Sequence, residues 1–332
     1  MNTYDYSLIL KQLPSFARKY INHLAVTNRS ETTRRAYVYE LRSFFNYLCN
    51  EPEYKYPDTP SAITLDQFSM ITHIEIEAYL SYAKTKGENE HKALSRKQAV
   101  IKSFYKYLVR KDFLGTDVTL KLDSIEIDRN LPKALEPNEV ADLTELLDDG
   151  IGLTKDQLKY YKYTRKRDRA IVLTLIVTGM RLSELCSVNL EDINYNSLSI
   201  AIVGKGNKKA NVYFNNYVKG LLKEYIEIER TRYDKTGTNA LFLSMQCKRI
   251  GRTSVEDIVK KYMKLLASLG HNTADFSTHK LRSTTATLLL RETDNLALVQ
   301  DYLRHSDPRT TRQYAKILDE QLKRAASMIK FK

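Results

Sequence analysis

Two stretches of the chain repeat one grammar that admits little besides a helix. From Thr32, TTRRAYVYELRSFFNYL sets Tyr37, Leu41, Phe44, Phe45 and Leu48 at helical spacing, with Arg34, Arg35 and Arg42 on the other side. In LSRKQAVIKSFYKYL the apolar stripe is Leu94, Ala99, Ile101, Phe104, Tyr105 and Leu108, and the charges are Arg96, Lys97, Lys102 and Lys106. Between them, HIEIEAYLSYAKT reads as a further helix ending before Gly87. A strand alternates its faces every second residue and cannot gather such stripes on one side. Residues 1–111 are therefore expected to form an all-helical domain of roughly four helices.

After Phe113 the periodicity loosens around Gly115, and Asp112, Asp117, Asp123, Glu126 and Asp128 accumulate, so 112–134 reads as an exposed acidic linker. LPKALEPNEV ends it, because Pro137 suits the first turn of a helix. The second domain, 135–332, contains RDRAIVLTLIVTGMRLSEL, an apolar run that predicts a buried helix, a close turn at Gly179 and a new helix near Arg181. NSLSIAIVGKGNKKANVYFN predicts a basic hairpin of Ser199–Val203 and Ala210–Phe214, turning at Gly204, Gly206 and Asn207. The remainder is helical by period, including a tail helix from about residue 318. The fold class expected is mainly α, with a small antiparallel β-sheet in the second domain.

Charge narrows the function. The 332 residues carry 53 Lys+Arg against 40 Asp+Glu, a net +13 that suits a polyanionic partner. The excess is uneven: 1–111 hold 17 basic and 11 acidic side chains, 112–149 hold 3 and 11, and 150–332 hold 33 and 18. Two basic blocks flank an acidic bridge. Cys49, Cys186 and Cys247 are odd in number and far apart, which excludes a disulfide framework and metal-pair spacing and points to a reducing compartment. The N-terminus lacks the pattern of a signal peptide, and the longest apolar stretch, near Ala170–Met180, is too short for a membrane span. A soluble, cytoplasmic protein is expected.

Four segments place phosphate-compatible side chains beside small or turn-forming residues: TGMRLSEL with Arg181 and Glu184, GKGNKK with Lys205, HKLRSTTAT with His279 and Arg282, and LRHSDPRTTRQYA with His305 and Tyr314. Singly, each histidine or tyrosine reads as an ordinary surface or packing residue. Arg181 is harder to dismiss, since a charge after a deeply apolar run needs a partner. In this order the set resembles the active site of the tyrosine site-specific recombinases, the family of phage integrases and Xer recombinases. The first block likewise resembles their SAM-like core-binding domain, so the resemblance spans most of the chain and implies a two-domain clamp around duplex DNA.

Phosphodiester chemistry explains why such residues belong together. The ester is anionic, so attack by a phenol needs its non-bridging oxygens neutralised as charge builds. Planar guanidiniums do this bidentately and never deprotonate. The resemblance assigns that clamp to Arg181 and Arg282. It makes His305 a donor to a non-bridging oxygen, Lys205 the general acid on the departing 5′ oxygen, Tyr314 the nucleophile, His279 a proton acceptor near it and Glu184 an orienting group. A 3′-phosphotyrosyl link conserves the ester's energy, so neither metal nor nucleotide cofactor is expected, and the chain has no P-loop or carboxylate cluster. Arg34, Arg35, Arg42, Arg96, Lys97, Lys102, Lys208 and Lys209 are the expected contacts to DNA.

Two positions depart from the family pattern: Ser283 follows Arg282 where histidine is common, and Arg304 precedes His305 where glycine is usual. The stretch GIGLTKDQLKYYKYTRKRD is longer than the join of the commonest Xer proteins, and its Lys162, Arg165, Lys166, Arg167 and Arg169 are candidates for touching DNA backbone. The implied partners are duplex DNA bearing an inverted-repeat site, three further copies forming a homotetramer on two sites, and an accessory or regulatory protein. Xer-like dimer resolution fits the length, which leaves no room for the additional arm-binding domain of many phage integrases. Alternatives are an integrase or excisionase of a mobile element, a relaxing topoisomerase, or a non-catalytic DNA-binding regulator.

Overall fold

The computed structural model describes residues 6–54, 56–86, 91–126, 133–204, 209–235 and 237–304. The chain divides into two compact units, Met1–Arg129 and Asn130–Lys332. Unit 1 contains α1 (Ser7–Lys11), α2 (Ser15–Val26), α3 (Glu31–Asn50), α4 (Leu65–Ser69), α5 (His73–Lys86) and α6 (His91–Arg110). Ser30 opens α3 by accepting the Thr33 N–H, and Thr64 and Gln67 close a reciprocal capping box on α4. The long helices bury one face each, and those faces are largely aromatic. Phe68 sits 5.1 Å from Phe16, 5.6 Å from Phe45 and 5.6 Å from Phe104, ring centre to ring centre. Full burial of each such ring contributes about 1.5–3 kcal/mol.

Unit 1 departs from expectation in three ways. Its described residues form six α-helices, because α1, α2 and α4 add to those read from periodicity; α2 buries Phe16, Tyr20, Ile21 and Leu24. Ala99, expected in the apolar stripe of α6, faces solvent, while Lys97 is turned inward onto Glu40. The acidic segment after residue 112 is packed rather than free as far as Ile125. Leu122 is buried, Gln98 donates to the Asp123 carbonyl and Lys102 to that of Leu122. Leucine and isoleucine spaced among the acids supply an apolar edge that the acidic count hides.

Unit 2 runs α7 (Pro137–Asp149), α8 (Lys155–Thr178), α9 (Leu182–Ser187), β1 (Ile193–Asn194), β2 (Ser199–Val203), β3 (Lys209–Tyr213), α10 (Asn216–Glu224), a π-helical turn (Tyr225–Arg230), α11 (Thr231–Tyr233), α12 (Arg252–Ser268), α13 (Thr278–Thr293) and α14 (Leu296–Leu303). The strands form an antiparallel sheet in the order β1-β2-β3, with Ile200 opposite Val212 and Val203 opposite Lys209. Ile200, Ile202 and Val212 face the core. That core is chiefly aliphatic and is centred on the run Ala170–Ile176 of α8.

Of the five basic residues of α8 expected from sequence to touch DNA, Lys162 and Arg165 are exposed, whereas the other three are engaged within the protein. Lys166 pairs with Glu224, Arg167 with the buried Asp168 at 2.8 Å, and Arg169 with Asp148 at 2.6 Å. Lys261 completes the arrangement at 2.8 Å from Asp168. The buried Asp168 needs such partners, and Arg167 and Lys261 supply them. The tail helix expected from 318 lies outside the described residues.

Candidate active site

The site begins where α8 stops. Gly179 takes a left-handed conformation (φ 58°) and lets α13 and α14 approach its Cα. A Cβ there would lie 2.5 Å from Leu303 Cδ2 and 3.1 Å from Thr285 Cγ2. Glycine is thus required both by dihedral and by space. Two residues later Arg181 forms the N-cap of α9. Glu184, in the first turn of that helix, folds back to accept from the Arg181 backbone N–H at 2.7 Å and from its Nη1 at 3.0 Å. The guanidinium remains 42% exposed, whereas Glu184 is 4% exposed.

Arg282 comes from the interior of α13 and is buried, 5% exposed. Its Nη1 donates to the Gly179 carbonyl and its Nη2 to that of Leu303. These are oxygens at the C-terminal ends of α8 and α14, where helices present unsatisfied carbonyls and the negative pole of their dipoles. The protein has placed the two ends where they compensate a guanidinium taken out of water. His279 lies one turn before Arg282. Its imidazole is held below its ordinary pKa, first because the surrounding protein displaces water from the ring, then by the positive charges of Arg282 and Arg181. A neutral ring at pH 7 is the form able to accept a proton.

Arg181, His279 and Arg282 line one cavity of about 320 Å³, together with Ser183, Arg252 and Glu256. Arg252 and Glu256 open α12 and were not singled out by sequence; a charged pair in a helix's first turns carries no distinguishing local signal. Glu184 lies beneath Arg181. Its burial opposes ionisation, but the Arg181 backbone hydrogen bond, the Arg304 charge and the Arg304 and Arg181 side-chain bonds outweigh this and lower its pKa. Ser283, at the family's frequent histidine position, is buried and donates from Oγ to the His279 carbonyl at 3.4 Å. Arg304 caps α14 in a left-handed conformation (φ 55°, ψ 47°), and its Nη2 reaches Glu184 at 3.0 Å. For a residue with a Cβ that backbone costs about 1 kcal/mol relative to glycine.

Lys205, Lys208, His305 and Tyr314 lie outside the described residues. Of the proposed DNA contacts, Arg35 is exposed over the Tyr39 ring, Arg34 and Arg42 are half-buried on α3, and Lys209 is exposed at the start of β3. Arg96 and Lys97 both bind the buried Glu40, at 2.8 Å each. Arg96 keeps 65% of its side chain exposed, but Lys97 keeps 12%, and Lys102 is bound to the Leu122 carbonyl. Lys97 and Lys102 therefore serve the packing of unit 1. Among the described residues no group of three or more His, Cys, Asp or Glu is placed to hold a metal ion, and no helix is long and apolar enough to cross a membrane.

Comparison with known proteins gives this geometry a context. Residues 134–321 match the phage integrase family, and residues 17–112 match the phage integrase N-terminal SAM-like domain. The chain is 31% identical to tyrosine recombinase XerC of Caldanaerobacter subterraneus subsp. tengcongensis over 95% of its length and 86% of the relative's. It is 34% identical to tyrosine recombinase XerD of Staphylococcus saprophyticus, covering 79% of this chain and 85% of that one. Its fold is similar to that of the XerH site-specific recombinase bound to a palindromic difH substrate, with a TM-score of 0.70 at 21% identity over 91% of this chain and 81% of that one. With both its helical unit and its arginine-lined unit matched, the chain belongs to the phage integrase family and is an Xer-like tyrosine recombinase, an enzyme that breaks and rejoins DNA.

Proposed function

We propose that this recombinase exchanges strands between two inverted-repeat DNA sites through a covalent 3′-phosphotyrosyl intermediate and a Holliday junction, in Xer-like resolution of DNA dimers. Arg181 and Arg282 clamp the non-bridging oxygens of the scissile phosphate, and His305 donates to one of them. The Tyr314 hydroxyl attacks phosphorus and gives its proton to His279. The P–O5′ bond breaks, and Lys205 protonates the leaving oxygen. Rejoining reverses these transfers with a 5′ hydroxyl from the partner strand, so the ester energy is conserved. Four copies hold two sites, an accessory protein regulates the order of exchange, and the reaction takes place in the cytoplasm.

The observation that carries this reading is the convergence of Arg181 with His279 and Arg282, which lie about 100 positions further along the chain, on one cavity where burial and then the two guanidinium charges lower the imidazole's pKa. Mere binding needs positive charge; a neutral base between fixed cations suits proton transfer at an anionic ester. The test uses duplexes selected from a random pool by the full chain and then nicked beside the cleavage point, so that the released strand diffuses away. Wild type should accumulate a covalent protein–DNA adduct, and Tyr314→Phe should form none while binding the duplex with unchanged affinity. Equal adduct from both proteins would displace Tyr314 as nucleophile.

A further inference from the structure

Six non-glycine residues among those described have positive φ, and one of them, Arg304, has a side chain that reaches Glu184 beneath the arginine-lined site. Its backbone closes α14 by donating to the carbonyls of Gln300 and Asp301. Its side chain is 19% exposed and meets the same Glu184 oxygen that accepts the Arg181 backbone N–H. The preceding carbonyl, of Leu303, accepts from Arg282. Adjacent residues at the end of one short helix are therefore tied to both guanidiniums, one directly and the other through a carboxylate.

Resting on the recombinase reading above, we infer that Arg304 is a positioning residue that brackets Arg181 and Arg282 and shares the charge of Glu184, leaving the Arg181 guanidinium available to the scissile phosphate. Glu184 is nearly enclosed and ionised. With Arg181 as its only cationic partner, it would offset more of that guanidinium's charge. With Arg304 as a second partner, one carboxylate faces two cations, and the surplus positive charge resides on the more exposed of them, Arg181. This accounts for an arginine at a backbone position where glycine would be relaxed. The compensation is functional: Arg304 accepts local strain and thereby tunes a neighbour that would meet substrate.

The inference separates cleavage from binding and folding. Arg304→Gly relieves the left-handed backbone, so its melting temperature should equal or exceed that of wild type. Its single-turnover rate of adduct formation on the nicked duplex, at saturating protein, should fall about 10- to 100-fold, while its Kd for intact duplex changes less than about threefold. Arg304→Lys, which keeps a cation beside Glu184, should recover most of the rate. Adding Glu184→Gln to Arg304→Gly should also recover at least about fivefold, because the competing charge is gone. A wild-type cleavage rate in Arg304→Gly, or a loss of affinity as large as the loss of rate, would overturn the bracket while leaving the recombinase reading intact. Failure of wild type to form any adduct would overturn that reading and the bracket with it.

Discussion

The two units of this protein treat charge in opposite ways. Among the described residues of unit 1, Glu40 is the single buried charge, and the core around it is a lattice of phenylalanine and tyrosine rings. Unit 2 buries Asp168, Glu184, Glu229, Arg230 and Arg282 within a core that is mostly aliphatic. Stability alone does not explain that difference, since buried ion pairs return little over well-packed hydrophobic groups. A surface that grips a polyanion can keep its cations in water. A site that stabilises a transition state needs fixed charges in a dry place, and the neighbouring structure must be built to hold them.

The sharpest way to break this comparison is at Arg282. Arg282→Ala should lower adduct formation by about 10³-fold and, by leaving the Gly179 and Leu303 carbonyls without their donor, destabilise unit 2 by about 1–3 kcal/mol; suicide-substrate kinetics and denaturant unfolding measure the two losses. Next comes a matched pair. Phe68→Ala should cost unit 1 about 3–5 kcal/mol through an unfilled cavity, and Asp168→Ala should cost unit 2 a similar amount by stranding Arg167 and Lys261. Hydrogen exchange resolved by peptide would assign each loss to its own unit; equal loosening of both units by either change would contradict the separation.

A smaller effect sharpens the contrast through pH. Glu229 accepts the backbone N–H groups of Lys166 and Arg167 at 3.0 and 3.2 Å, yet burial pushes its pKa up to about 7. Because the folded carboxyl holds its proton more tightly than the unfolded one, its contribution is fully present below the ordinary glutamate range and is lost as pH rises through about 7. Unit 2 should lose roughly 2 kcal/mol between pH 5 and 8 from this group, and Glu229→Gln should flatten that slope. An unchanged slope in the variant would place the pH dependence elsewhere.

Much of this architecture was legible because helical periodicity and glycine placement are local signals. The stripes of α3 and α6, the proline opening α7, the glycine ending α8 and the pairing of β2 with β3 follow from residues a few positions apart. Arg181, His279 and Arg282 were legible for another reason: their identities and order match a family's chemistry, and the fold brings them to one cavity. What sequence concealed was the employment of ordinary charges. Lys97 looks like any solvated helix lysine until Glu40, 57 positions away, is seen to hold it. Arg167 and Arg169 look like a basic patch until Asp168 and Asp148 claim them. A sequence displays a charge, but its partner is a property of tertiary structure.

On the proposed mechanism, in which Arg282 clamps the scissile phosphate, the two carbonyls that hold it also decide which party must adjust during recognition. A surface arginine can swing through many rotamers to meet a phosphate wherever it arrives, at the expense of side-chain entropy on each encounter. Arg282 has already surrendered that freedom to Gly179 and Leu303 during folding. It cannot search. A rigid phosphate clamp of this kind acts as a gauge, and an approaching duplex whose backbone is out of place must itself bend or shift to be read, so the work of fitting falls on the DNA and its sequence-dependent stiffness becomes part of selectivity.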